Sequence, residues 1–308
     1  MRKLTRAITA LGLAALTLAP LSAQRPPSDT IAGTSGNLTV VPLTHGTVEI
    51  VEGSHVVLVD PGRSFLDPPY DAAPPPPPPP PPRGGAAGAG APPPPPPAPP
   101  PVMRPPGAAT RKLYAGLKPP TLILVTDIHE DHFDPAVIKI VKGPFTVVVG
   151  PEVVSSKLAG AGSLSNGHLK TVDGVLIEAV PMYNLSIEKG ETEPFHTKGR
   201  GNGYIVTLGG KRFYFAGDTS CTPEIKALKN IDVAFLPMNL PFTMSAADAA
   251  QCALAFKPKV VYPYHYIGPE MTTGPTAFEK ALAGSGIDVR RRDWYVGVPP
   301  MLPPAGNR

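Results

Sequence analysis

The 308-residue chain carries 45 prolines, 17% charged residues and a formal net charge of +4. Twenty of the prolines fall within residues 74–106, which leaves 25 for the other 275 positions. This distribution excludes a uniformly Pro-rich disordered chain. The lack of glycine at every third position excludes collagen, and the low charge excludes a polyelectrolyte.

Residues 1–23 read as a secretory signal peptide. Arg2, Lys3 and Arg6 form a basic start, Ile8 to Leu18 an apolar run, and Leu21-Ser22-Ala23 a small-residue cleavage site. The run falls short of the roughly 20 apolar residues of a membrane span. An uncleaved N-terminal anchor is the competing reading. On the first reading the mature chain starts near Gln24, has no integral membrane span and is periplasmic or secreted. The leader holds three of the 28 basic residues and no acidic one, so 25 basic residues face 24 acidic ones, a net +1. The high pI is therefore no nucleic-acid signal. Arg290-Arg291-Arg292, the one basic run, is expected on a solvated strand edge.

Next come short β signals at 38–43, 47–51 and 56–59, with turns at His45-Gly46 and Gly53-Ser54. The Pro-rich block follows, an insertion at 72–107. It has nine consecutive prolines, a Gly/Ala centre and six more consecutive prolines. Such runs form an extended left-handed helix. The block is read as a surface insertion within one domain, 24–308. A domain boundary is less favoured, because residues 24–73 are too few to bury a core of their own. Thr121 to Thr126 is a continuous apolar run, the pattern of a strand buried on both faces. Asp134-Pro135 opens a helix through Val141, since Asp caps well and Pro suits the first helical position. Further strands are predicted at 145–149, 175–180, 203–208, 212–216, 231–236, 259–262 and 287–296. Helices are predicted at 151–158, 223–229, 245–256 and 275–283. Strands first, then strands alternating with helices, imply sheets with helices packed outside them. Cys221 and Cys252 are expected as buried free thiols, although an oxidising compartment would permit a disulfide.

The chemistry concentrates in Thr126-Asp127-Ile128-His129-Glu130-Asp131-His132, directly after the buried strand and before the capped helix. Strand ends of this kind are where α/β proteins build sites. Asp127, His129, Asp131 and His132 lie within six residues, and a tight turn can aim all four at one metal ion. A polar turn with a capping Asp is the bland alternative.

That stretch resembles the H-x-H-x-D-H signature of the metallo-β-lactamase-fold superfamily, with Asp127 standing where the first histidine is usual. Other landmarks match in order: Asp60 in Leu58-Val59-Asp60-Pro61-Gly62, His196 in Phe195-His196-Thr197, Asp218 in Ala216-Gly217-Asp218-Thr219, and His265 in Tyr264-His265-Tyr266. The resemblance spans roughly 38–296. Its texture is similar to the branch of ascorbate-phosphate lactonase-like proteins and N-acyl-phosphatidylethanolamine phospholipase D-like enzymes. It implies an α/β fold, the αββα sandwich, with a dinuclear site at one edge. Asp127, His129 and His196 would form the first metal position and Asp131, His132 and His265 the second, with Asp218 bridging. Asp131 would also orient the attacking water. Two divalent ions are implied, zinc first, with Mn²⁺ or Fe²⁺ admitted by the carboxylate at 127. Asp60 and His45 are candidates for holding ligands in place. Tyr183, Asn184 and Tyr266 are candidates for a substrate pocket. Lys198-Gly199-Arg200-Gly201 either meets an anionic substrate or is a flexible turn.

The implied function is hydrolysis of an ester, lactone, amide or phosphoester of a small molecule by metal-activated water. An iron-dependent oxygenase or redox enzyme on the same scaffold is the alternative. A metal-binding protein whose polyproline arm docks a proline-recognising partner is a third reading.

Overall fold

The computed structural model describes residues 25–67, 105–268 and 270–299. The leader and nearly all of the Pro-rich block, including its long proline runs, lie outside them. No helix among the described residues is long and apolar enough to cross a membrane.

The first sheet is built from β1 (Asp29–Ala32), β2 (Asn37–Thr44), β3 (Thr47–Glu52), β4 (His55–Val59), β5 (Leu122–Leu124), β6 (Val147–Gly150) and β7 (Gly162–Ser163), in that spatial order. β1 to β4 form an antiparallel meander, and β4 to β7 run parallel. Parallel pairing needs crossovers. These include α1 (Ala108–Tyr114), α2 (Pro135–Val141) and α3 (Glu152–Ser155). The second sheet repeats the plan. β8 (Leu169–Val172), β9 (Val175–Met182), β10 (Gly201–Leu208) and β11 (Lys211–Phe215) are antiparallel. β12 (Val233–Pro237), β13 (Val260–Tyr264) and β14 (Asp288–Val289) then add in parallel. Their crossovers are α4 (Pro223–Lys226), α5 (Ala246–Phe256) and α6 (Glu270–Ala281).

Side-chain alternation sets the layers. On β4 and β5, Val57, Val59, Leu122 and Leu124 pack into the core shared with Tyr204, Val206 and Phe213 of the second sheet. Leu58 and Ile123, together with Val125, face the other way, onto Val137, Ile138 and Val154 of the helices. A strand apolar on both faces therefore lies between a sheet and a helix layer, which is the αββα order expected from the sequence. The starts of α2 and α4 follow the local chemistry. Asp134 accepts from the backbone N–H of Ala136 and Val137, and Thr222 caps Ile225, each with Pro at the first helical position.

Three expectations are corrected. Cys221 and Cys252 are joined in a disulfide, with Cα atoms 5.6 Å apart. Packing brings the loop before α4 against α5, a proximity that a spacing of 31 residues does not reveal. The strand expected over 287–296 is only β14, because the chain turns away to bury Trp294, whose indole donates to Pro263 O at 2.7 Å. The arginine run is no solvated edge: Arg290 and Arg292 both pair with Asp29 of β1, and so tie the C-terminal segment to the other sheet. The last long helix begins at Glu270, with Pro275 inside it. β1, β7, β8 and α1 carry too little periodicity to be read locally.

Two outcomes follow for stability. Closing a loop of 31 residues confines the unfolded chain by about 3–4 kcal/mol on the chain-entropy account. The Cys221→Ala, Cys252→Ala variant is expected to lose stability of that order in urea denaturation, and an unchanged midpoint would refute it. Glu49 on β3 is 4% exposed, and burial pushes its carboxyl up to about 7, against the opposing charges of Arg25 and Lys118. The folded chain thus holds a proton that the unfolded chain releases above about pH 4.5, and stability falls as pH rises from there through 7. Glu49→Gln should be more stable than the parent above pH 7, with the difference vanishing near pH 4.5.

Candidate metal centre

The strand ends place the site. Asp60 follows β4, the Asp127–His132 turn follows β5, Asp218 follows β11 and His265 follows β13. His45 sits in the β2–β3 turn and His196 in the loop before β10. Three of these residues, His45, Asp60 and His265, have φ between 47° and 49°. Non-glycine residues rarely adopt this left-handed region, and such strain clusters at functional sites. Gly217, at φ 63°, supplies the turn before Asp218, where a Cβ would lie 2.4 Å from Met182 Sδ.

Two sets of ligand atoms converge, and Asp218 faces both. In the first set, Asp127 Oδ2 lies 2.9 Å from His129 Nδ1 and 3.5 Å from His196 Nε2. His196 Nε2 is 3.1 Å from His129 Nδ1 and 3.3 Å from Asp218 Oδ2. In the second, His132 Nε2 and His265 Nε2 face one another at 3.2 Å. Asp218 Oδ1 is 3.2 and 3.0 Å from these two nitrogens, and Asp131 Oδ2 is 3.8 and 3.4 Å from them. The ligands of a tetrahedral ion at about 2.0–2.2 Å stand about 3.3–3.6 Å apart. Both sets have that size.

The electrostatics fit cations as well. Asp60, Asp127, Asp131 and Asp218 crowd together, three of them fully or almost fully buried. Arg200 places a fixed positive charge against Asp127. Burial disfavours an ionised Asp218, but His265 and His132 outweigh it and hold the carboxyl well below its usual range. The reverse holds at His132. Burial lowers its pKa, while Asp218, Asp131 and Asp60 raise it well above the ordinary imidazole value. Asp218 Oδ1 is buried without a well-aligned hydrogen bond. Buried carboxylates of this density require paired charge or a coordinated metal.

Supporting contacts orient the imidazoles. Asp60 accepts from His132 Nδ1 at 2.8 Å, and from Thr126 N and Oγ1 at 2.7 Å each. Asn184 Oδ1 accepts from His196 Nδ1 at 2.8 Å and from its backbone N–H at 2.9 Å. Each bond turns the far nitrogen toward the cluster. His45 Nε2 lies 3.0 Å from Asp131 Oδ2, and its Nδ1 is 2.7 Å from the Tyr295 hydroxyl. Burial, then the neighbouring His265, lowers the pKa of His45 to about 4. His45 also belongs to the set of donor atoms around Asp131, His132 and His265.

A cavity of about 420 Å³ opens over the cluster, lined by His45, His129, Asp131, His196, Asp218 and His265 on the polar side. Phe65, Phe195, Phe242 and Ile267 form its apolar wall, with Asn239 beside them. Tyr183, Asn184 and Tyr266 do not line it. Tyr183 donates its hydroxyl to Glu224, Asn184 serves His196, and the Tyr266 hydroxyl donates to Arg292 O. The phenylalanines are remote in sequence and carry no local signal. The cations of the Gly-rich loop are both engaged, Lys198 by Glu224 and Arg200 by Asp127.

A family model described as "Beta-lactamase superfamily domain" matches residues 39–265, from β2 to the last site histidine. The chain belongs to this superfamily. Among its relatives are proteins named UPF0173 metal-dependent hydrolase. The one from Pyrococcus abyssi is 33% identical over 174 residues, 54% of this chain and 75% of the relative. The one from Symbiobacterium thermophilum is 30% identical over 198 residues, 60% and 80% respectively. Among solved structures, a protein of Parabacteroides distasonis titled as a metal-dependent hydrolase aligns with TM-score 0.66 and 33% identity, over 87% of this chain and 99% of its own. A diiron β-hydroxylase from Streptomyces venezuelae shares the fold at TM-score 0.52 and 14% identity, over 81% of this chain and 51% of its own.

Asp60 gives this superfamily member a sharp test. Asp60→Ala leaves His132 Nδ1 and both Thr126 donors without their acceptor. Zinc affinity, read by competition with a chromogenic chelator, should fall about 10–100-fold. Unchanged affinity would mean that Asp60 does not position His132.

Proposed function

We propose that the chain is a hydrolase that uses two divalent ions, zinc first and manganese or iron as alternatives, on an ester, lactone, amide or phosphoester bond. The carrying observation is the bridging placement of Asp218, with one carboxylate oxygen toward each ligand set. Asp127, His129 and His196 would hold one ion, and Asp131, His132 and His265 the other. A bound divalent ion lowers the pKa of a coordinated water from 15.7 to about 7 and polarises the oxygen of the scissile group.

The protein's own groups supply the rest. Asp131, at 35% side-chain exposure the most open carboxylate of the cluster, would accept a hydrogen bond from the attacking water and orient it, with His45 on its Oδ2. His45 holds that oxygen from behind, and Tyr295 fixes the His45 ring. Phe65, Phe195 and Phe242 exclude bulk water from one side and receive the apolar part of a small substrate. The relatives' name, metal-dependent hydrolase, supports this reading. On the same proposal residues 1–23 direct the chain to the periplasm or outside the cell.

Metal analysis and hydrolysis of p-nitrophenyl esters, phosphodiesters and lactones test it together. Zinc- or manganese-loaded protein should hydrolyse at least one class. Asp131→Ala should lose about 10²–10⁴-fold in rate, the span of a general base. His132→Ala should lose bound metal. Less than about one metal per chain, with no loss in either variant, would overturn the proposal. Turnover that requires iron and oxygen, without hydrolysis, would favour the oxygenase reading, which the carboxylate at 127 and the shared fold of the diiron enzyme support.

A further inference from the structure

Asp127 departs from the histidine usual at its position, and the structure shows what accompanies that departure. Arg200 approaches the buried carboxylate with two nitrogens, Nη2 at 2.7 Å from Oδ2 and Nε at 3.3 Å from Oδ1. This fork matches a carboxylate in a way lysine cannot. The same Nη2 lies 3.0 Å from His129 Nε2. Arg200 is not placed by chance. It ends the turn that enters β10, with its N–H donating to Thr197 O. The next residue, Gly201, packs so closely that a Cβ would lie 2.1 Å from Met182 Cε. Asn202 N–H donates to Thr126 O at 2.9 Å, which pins the start of β10 beside Asp127.

Arg200 Nη2 is also 3.5 Å from His129 Nδ1, so the guanidinium lies against the imidazole ring and not on the lone pair of one nitrogen. Asp127 Oδ2, the oxygen that Nη2 holds, is also 2.9 Å from His129 Nδ1. Nδ1 is the nitrogen that faces His196 and the first metal position. The Asp127 oxygen on that side is therefore already held by the guanidinium, and an ion there would compete with Arg200 for it. Arg200 also cancels the extra negative charge that Asp127 brings. In the second set, around His132 and His265, the group on Asp131 Oδ2 is the His45 imidazole and not a guanidinium.

Resting on the metal-binding reading above, we propose that Arg200 is a gate on the first metal position. It makes Asp127, His129 and His196 the weaker of the two sites, filled after the second and only when the guanidinium yields the Asp127 oxygen. Arg200 is thus a positioning residue that sets metal stoichiometry and selectivity.

The test is titration of the chelator-stripped full chain with Zn²⁺ and with Mn²⁺ by calorimetry and equilibrium dialysis, which needs no substrate. Two binding classes at least tenfold apart are expected, a spacing typical of contacts that tune a ligand from behind. Arg200→Met should tighten the weaker class about tenfold or more and leave the tighter one unchanged. Arg200→Gln, which keeps a donor but loses the charge and the fork, should shift it in the same direction. Circular dichroism melts of both variants establish that they fold, and because the side chain is partly exposed, either one suffices. Equal affinity at both positions in the parent, or a weaker class unmoved in the folded variants, would overturn the gate while leaving the hydrolase reading intact. A parent that binds neither ion would overturn both.

Discussion

The site depends on how Asp60 is held. It terminates β4 in a left-handed conformation, with its N–H bonded to Leu124 O and its own carbonyl bonded by Thr47 Oγ1. Its carboxylate reaches across to Thr126 and His132. One buried side chain therefore joins the ends of two parallel strands and turns an imidazole toward the metal-ligand cluster. Burial pushes the Asp60 carboxyl up, and the His132 charge and hydrogen bonds pull against it. A group under such opposing influences is stable only where its partners stay fixed, which ties the fold of β4 and β5 to the geometry of the site.

Charge explains why so many acidic groups tolerate burial together. Each carboxylate of the cluster has a defined partner: His132 for Asp60, Arg200 for Asp127, the His45 and His265 imidazoles for Asp131, and those of His132, His196 and His265 for Asp218. In a low-dielectric setting such pairings are strong, and any unpaired charge is costly. Asp218 serves both ligand sets because the Gly217 turn presents its two oxygens to opposite sides. The disulfide of Cys221 lies three residues beyond, so the loop carrying Asp218 is anchored to α5 as well as to β11.

The cavity adds a division of surfaces. Its floor is the imidazole–carboxylate cluster, and its wall is aromatic. A floor that bears charge beside a wall that repels water suits a reaction in which one water is activated and the others are kept out. The aromatic wall comes from three separate loops, at Phe65, Phe195 and Phe242. The aromatic wall is therefore carried by loops, whereas the imidazole–carboxylate cluster comes mostly from strand ends, with His196 on the loop that also carries Phe195.

The sequence by itself determined the local chemistry. Dense ligand spacing after an apolar strand, the Asp-Pro helix start at 134–135 and the order of Asp60, His196, Asp218 and His265 were all legible, because each depends on neighbouring residues or on chain order. The tertiary structure decided what depends on distance in space. It paired Cys221 with Cys252, drew Arg290 and Arg292 onto Asp29, and gave Asn184 to His196 in place of a pocket wall. It also set Arg200 on Asp127, 73 residues away. A Gly-rich loop with two cations has no preferred aim of its own. Only the packing of β10 against the end of β5 points one of those cations into the site.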